Sequence, residues 1–539
     1  MLPAINQSGA VNVAIIGGAV PAGAFYNGGL AYQPDGTLYV KRVIAGISGA
    51  FYRGGLATTA DGALYVADGT DASDVYVGGL RCRADGVVRA SSVSATQSRG
   101  GIPTDDLGAM VTMPPISGIA AAFDANLGIT AAAGFASQWS DISGNERHLL
   151  QATGAKQSIH LPFDGTKYGW ASGVAANHFT TPSAAALTAI LDEVDLVWDG
   201  YLNDYTTAAY QTLGTLYQTG TIQDKCGLFM EPTSGKLAFI HVNGVTATVV
   251  LSSTSAGLTD GTRYQLRAHW VKATALTKFY KRASSADAWT QIGTDVASPA
   301  TSMNAGSRNL YVGMLSDGSS LPGIGGHYSF AVWNGNSESG GTLAAKMTPT
   351  TWTSGTTFVG GAGETWTINS TGAKPAQIVD RSSLLFDGTA HFMAAAFTLN
   401  QPETAYLVGK QVTWTLNDYL MDGAAAGDTA AIIQSATTPR LKAYAGAFST
   451  ENADMAVGSR AVVCASFNGA SGVLRVNNGT EVVGNFGAAN AGGITLGARY
   501  AGTQLSNIQV YEALIYSVAH DAATRANIIR ALMNKWGVA

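Results

Sequence analysis

The chain has 539 residues, enough for roughly three or four domains that each bury a core of their own. Asp, Glu, Lys and Arg make up only 12% of it, about half the usual share, while Gly supplies 66 residues, a mixture suited to rigid β-structure with many turns. A net charge of −5 with no dense Lys/Arg block provides no field to capture nucleic acid or anionic lipid, so neither is expected as a partner.

The chain opens on an apolar stretch, Val11-Asn12-Val13-Ala14-Ile15-Ile16, with no Lys or Arg ahead of it, as a secretory signal would require. No segment approaches the roughly 20 apolar residues of a membrane span. The expectation is a protein assembled in a cytoplasm without membrane insertion. A repeat follows. Gly28-Gly29-Leu30 leads to Asp35-Gly36, Gly54-Gly55-Leu56 to Asp61-Gly62, and Gly78-Gly79-Leu80 to Asp85-Gly86, with a weaker copy from Gly100-Gly101-Ile102. Asp-Gly between β-rich runs signals a hairpin because the turn needs positive φ, and Gly-Gly permits a bulge or close backbone approach. Singly these residues only make turns. As an array they predict a β-hairpin repeat region over residues 1–115, an elongated stem or docking platform that ends at Met113-Pro114-Pro115.

Residues 116–375 are expected to form a first large sandwich. Trp139-Ser140-Asp141-Ile142-Ser143-Gly144-Asn145 is turn-rich, and the runs 236–242, 263–271 and 277–282 alternate as half-buried strands should. A late core strand at 328–334 precedes a Gly/Ser/Thr-rich joining passage. Residues 376–539 repeat the order, with apolar runs at 404–408, 461–467, 473–476, 494–497 and 508–516. The tetrapeptide Phe163-Asp164-Gly165-Thr166 returns as Phe386-Asp387-Gly388-Thr389, each after an apolar run, so one module occurs twice. The end differs. Ile529, Leu532, Met533 and Trp536 fall on one helical face, with Asp521 and Lys535 placed as a helix dipole favours and Gly537 at C′.

Both large domains resemble laminin G-like, concanavalin A-like lectin/glucanase modules, through the Trp139–Asn145 segment, the two Phe-Asp-Gly-Thr turns, the Phe279 to Gly293 hairpin, the Phe330–Asn334 strand, Gln401–Val408 and the terminal helix. The fold this implies is all-β, an N-terminal hairpin region followed by two jelly-roll β-sandwiches with a short C-terminal helix. The joining segment, with Gly363-Glu364-Thr365-Trp366-Thr367-Ile368, and the Gly-Gly-Leu/Asp-Gly array are similar to those of bacteriophage virion and tail-fibre-type structural proteins. That resemblance implies a homotrimeric fibre, spike or capsid decoration component located in the virion. Its partners would be other virion proteins, bound through the N-terminal region, and host cell-surface polysaccharide. The alternative is a bacterial carbohydrate-binding lectin or glucan hydrolase.

Enzymes of the concanavalin A-like superfamily that cleave β-glucans use Glu-x-Asp-x-(x)-Glu on one strand, where alternate residues supply paired carboxylates to one face. Glu193-Val194-Asp195-Leu196-Val197-Trp198 comes near this pattern, but Trp198 holds the last carboxylate position and Asp199 lies one residue beyond, on the opposite side of a regular strand. No catalytic residue is expected. The eight histidines are scattered singly, no nucleophile elbow or phosphate loop occurs, and no cofactor or metal is expected. Laminin G-like modules can carry calcium, to which Asp141 and Asn145 would contribute, although turn capping explains both. Cys82, Cys226 and Cys464 have no paired spacing and read as buried small residues. Trp170, Tyr201, Tyr205 and Tyr210 are candidate sugar-stacking rings, set against the commoner role of filling a core.

Overall fold

The computed structural model describes residues 118–538 apart from 316, 318, 319, 373 and 428, together with the backbone of nine short strands before residue 118. The turn residues expected from Gly28 to Gly86 lie outside the described residues. Strands beside them pair antiparallel, Phe25–Asn27 with Leu30–Tyr32 and Phe51–Arg53 with Leu56–Thr58. The fold is all-β with two sandwiches and a C-terminal helix, the class expected from the sequence.

The sandwiches are nested, however, not consecutive. One core gathers Trp198, Phe239, Trp270, Phe330 and Trp366, all from residues 171–378; this is the inner sandwich. The other gathers Phe123, Trp139 and Leu149 with Phe386, Met393, Tyr406, Leu496 and Trp536, so the outer sandwich draws on both flanks of the inner one. Ile119–Asp124, expected to open a first sandwich spanning 116–375, is instead hydrogen-bonded to Asn507–Tyr516, with Ile119 opposite Tyr516 and Asp124 opposite Glu512. The reason is packing. Ala120, Ala121 and Ala122 are buried against the helix-bearing sandwich, and a sheet edge pairs with whatever strand completes its core, however distant in sequence.

The chain crosses between sandwiches along one antiparallel ribbon. Ser158–Leu161 pairs with Ser383–Asp387, setting Ile159 opposite Leu385, and Tyr168–Ala171 pairs with Gln377–Val379, setting Tyr168 opposite Val379. The two Phe-Asp-Gly-Thr copies therefore mark the outgoing turn and the returning strand. In both, Asp caps the turn, Asp164 accepting from Thr166 N (2.9 Å) and Asp387 from Thr389 N (3.0 Å). Leu161, Tyr168, Trp170, Tyr201, Tyr328 and Leu385 fill a small junction core beneath the ribbon.

Each sandwich has a corresponding long central strand. Glu193–Leu202 lies between Tyr264–Val271 and Gly325–Asn334, and Glu403–Gln411 between Arg460–Phe467 and Asn507–Tyr516. Both shift register against the last of these strands, after Asp199 in one and after Val408 in the other, and a glycine follows each time. At Gly200 a Cβ would fall 2.3 Å from the Gly326 carbonyl oxygen, so the bulge excludes a side chain there. Superposing the bulges makes Val194 equivalent to Glu403, Asp195 to Thr404 and Val197 to Tyr406.

The helix spans Ala522–Trp536. Asp521 caps it by accepting from Thr524 N (2.7 Å), and Gly537 ends it at φ 61°. Its buried face, Ile528, Ile529, Leu532, Met533 and Trp536, lies across Glu403–Gln411 and Arg460–Phe467. Among the described residues no helix is long and apolar enough to cross a membrane.

Candidate ligand-binding face

Alternation along Glu193–Leu202 sends Val194, Leu196 and Trp198 into the inner core, and Glu193, Asp195, Val197 and Asp199 to the opposite face. Asp199 thus lies on the side opposite Trp198, as expected, and shares a face with the other two carboxylates. Across the sheet this face continues through Gln265, Arg267 and His269 to Lys278, Tyr280 and Arg282.

Every carboxylate of this ladder is engaged. The Arg267 guanidinium lies 2.7 Å from Asp195, both buried, and reaches Asn336 Oδ1 at 2.8 Å. Asp195 also accepts from Ser337 N (2.9 Å) and Ser337 Oγ (2.5 Å). His269 Nε2 meets Glu193 Oε1 at 2.8 Å, and Arg263 grips Asp199 through Nε (2.7 Å) and Nη2 (2.9 Å). A retaining glycosidase needs two carboxyl groups about 5–5.5 Å apart across a space the sugar can enter. Here Asp195 and Asp199 are each tied to a guanidinium, Arg267 and Arg263, so neither carboxylate is free for acid/base work.

Aromatic rings flank the ladder. Trp289 is half-buried; its indole N–H donates to Glu338 Oε1 (3.0 Å), Arg282 lies 4.1 Å over its ring, and Tyr280 approaches at 6.5 Å. Trp333, opposite Asp195 on the neighbouring strand, is half-buried on the same face. The loop after it, Asn336 to Glu338, is pinned to the face three times, at Arg267, Asp195 and Trp289. The result is a buried, mutually engaged polar ladder edged by the partly exposed rings of Tyr280, Trp289 and Trp333. In the outer sandwich the equivalent face carries Thr404, Tyr406 and Val408 and is sealed by the helix, with Tyr406 hydroxyl 2.8 Å from His520 Nδ1.

The rings singled out in sequence lie elsewhere. Trp170 and Tyr201 fill the junction core, where Tyr201 donates to Tyr168 Oη (3.1 Å), and Tyr205 is buried with its hydroxyl on Thr262 O (2.9 Å). Tyr210 packs half-buried against the small cluster of Phe229, Ala238, Ile240, Val242 and Leu315. Tyr280, Trp289 and Trp333 went unmarked as ligand rings, although the outward phase of Tyr280, read from its neighbour Phe279 in the core, was a usable signal. Asp141 caps its turn, accepting from Ala122 N (2.9 Å), Ser143 N (2.8 Å) and Arg147 N (3.0 Å), while Asn145 donates to Ala120 O (3.0 Å). Cys226 and Cys464 are buried free thiols, pushed up to about 12 by burial. The side chain of Cys82 lies outside the described residues. Among the described residues no three His, Cys, Asp or Glu side chains cluster as a metal site would require.

Comparison with known proteins gives fold-level likeness alone. No protein-family model and no curated protein matches the chain. Among solved structures, mouse laminin α1 domains LG4-5 align at 13% identity and a TM-score of 0.27, over 66% of this chain and 91% of theirs. The LG1-3 region of the laminin α2 chain aligns at 11% identity and 0.28, over 67% and 64%. The CBM40 of Ruminococcus gnavus IT-sialidase, bound to α2,3-sialyllactose, aligns at 12% and 0.21, over 29% and 84%.

Proposed function

We propose that this chain is a non-catalytic carbohydrate-binding display protein whose inner sandwich offers the Tyr280, Trp289 and Trp333 face to a cell-surface polysaccharide. The observation that carries this reading is that every ladder carboxylate is engaged, Asp195 by Arg267, Asp199 by Arg263 and Glu193 by a hydrogen bond with His269, beside the partly exposed rings of Tyr280, Trp289 and Trp333. Such a face can hold a sugar and has no free acid with which to cleave it.

In the fuller form of the proposal the molecule is a bacteriophage virion component, attached through residues 1–115 and assembled as a trimer. Weak shallow sites on a symmetric oligomer then gain avidity without tight individual contacts. The sequence resemblance of the hairpin array and joining segment supports that part.

Incubation with a panel of polysaccharides tests the binding claim. Retention without release of reducing sugar is expected, and Trp289→Ala combined with Tyr280→Ala should abolish it. Sugar release would overturn the non-catalytic reading, and undiminished retention by the double variant would overturn the site. Removal of residues 1–115 should leave glycan retention intact and abolish incorporation into particles; incorporation of the truncated chain would point to a free lectin with the hairpins as spacer.

A further inference from the structure

A second feature, independent of the glycan reading, lies inside the outer sandwich. Glu403 stands on the core side of its strand, at the position its twin fills with Val194, which is fully buried in the inner core. The Glu403 residue is 2% exposed and neither carboxyl oxygen has a hydrogen-bond partner. It lines a small cavity with Leu399, Met421, Phe467, Ile494 and Ile515, with room for roughly one water molecule. Asp422 is the other ionisable residue on that wall, and its oxygens accept from Gly423 N (2.8 Å) and Tyr500 N (3.1 Å). Neither the strand bearing Phe467 nor the one bearing Ile515 turns a charge toward the cavity wall.

A carboxylate in such surroundings has no cation and no protein donor to replace its hydration, so the closed sandwich favours the protonated form. We propose that Glu403 is a proton-held latch: protonated, it lies closed within the outer sandwich, and on losing its proton it opens the Leu399–Ala405 end of that sandwich to water. Burial alone pushes its carboxyl from 4.5 up to about 8, and burial likewise moves Asp422 up to about 6. The folded value is raised, so the closed state binds the extra proton and the opened state ionises near the ordinary value. Opening is therefore favoured as pH rises, by about tenfold per pH unit between roughly 4.5 and 8, and levels off above that range.

Amide hydrogen exchange on the full chain tests the latch. At each pH, exchange at residues 404–407 and 493–496 is compared with that of Glu403→Val, which restores the twin's residue, and of Glu403→Gln, which keeps the shape without the titration. The ratio of wild type to either variant should climb about tenfold per pH unit from pH 5 to 8 and then flatten. A ratio that does not change with pH overturns the proposal, as does a folded-state carboxyl titration of Glu403 near 4.5. An Asp422→Asn background should keep the slope; its loss there would make Asp422 the titrating group and sink the assignment to Glu403.

Discussion

Lys535 Nζ, in the last turn of the C-terminal helix, lies 2.6 Å from Asp124 Oδ2, at the end of the first described strand of the same sandwich. The same ammonium is 2.7 Å from Glu512 Oε2, to which the Trp536 indole also donates. The side chains of all three are buried, so one cation holds two carboxylates that would otherwise repel in a low dielectric. Those two carboxylates hold the Lys535 ammonium well above its usual range, against the opposing effect of burial. The pair joins the two sequence-distant flanks of the outer sandwich.

Replacing Lys535 by Met should accordingly destabilise the outer sandwich by about 3–5 kcal/mol, because it strands Asp124 and Glu512 without a counter-charge. The denaturant midpoint of the outer transition reads this out. A shift within experimental scatter would mean that the two acids find other partners.

Nesting carries a second prediction. Tyr168 and Val379 are opposite each other on paired strands, so the ends of the inner sandwich lie about 5 Å apart. Residues 167–380 should therefore fold when expressed alone, and a short linker joining Leu161 to Ser383 should leave the outer sandwich folded. By contrast, a fragment beginning at residue 376 lacks Ile119–Leu161, so Asn507–Tyr516 loses its pairing with Ile119–Asp124 and Ser383–Asp387 its pairing with Ser158–Leu161, which exposes two sheet edges, and it should be insoluble or non-cooperative. Far-UV circular dichroism and thermal melts of the three fragments decide it.

That last fragment is the domain the sequence suggests, which locates what was legible. The terminal helix was readable because its determinants are local: Asp521 cap, apolar spacing, Gly537. The duplication was readable because a turn motif keeps its letters, Phe163 to Thr166 and Phe386 to Thr389. The pairing of Ile119–Asp124 with Asn507–Tyr516 was not, since three small alanines between two larger apolar residues fit any sheet edge and nothing local names the partner. The site was half legible for the same reason. Strand phase places Glu193, Asp195 and Asp199 on one face, but only the cross-strand register shows that Arg267 and Arg263 neutralise two of them.

Arg267 gives a third prediction. Its Nε lies 2.9 Å from both Asp195 oxygens while Nη2 spans to Asn336, a forked contact that an ammonium cannot reproduce. Arg267→Ala should destabilise the inner sandwich by about 3–5 kcal/mol through the unpaired Asp195. Arg267→Lys should recover less than half of that loss, measured by urea unfolding, and both variants should lose glycan retention as the Asn336 to Glu338 loop comes free. Full recovery by Lys would show that charge alone is needed.

The inner sandwich should also fail from the acid side. His327 is fully buried, its Nδ1 accepting from Trp198 Nε1 (2.9 Å) and its Nε2 facing the Gly323 carbonyl at 3.3 Å. Burial lowers it from 6.5 to about 4, since a proton on Nδ1 would oppose the indole N–H and place a charge in the core. The folded value is depressed, so the unfolded chain binds the extra proton and stability falls as pH drops from about 6.5 to 4, by about 3 kcal/mol in all. His327→Gln, which retains an acceptor for Trp198, should reduce this slope in the urea midpoint of the inner transition to the part carried by His178 and His241, whose imidazoles burial also lowers, and leave the alkaline response at Glu403 untouched. An acid slope in the variant as steep as that of the wild type would remove His327 from the account.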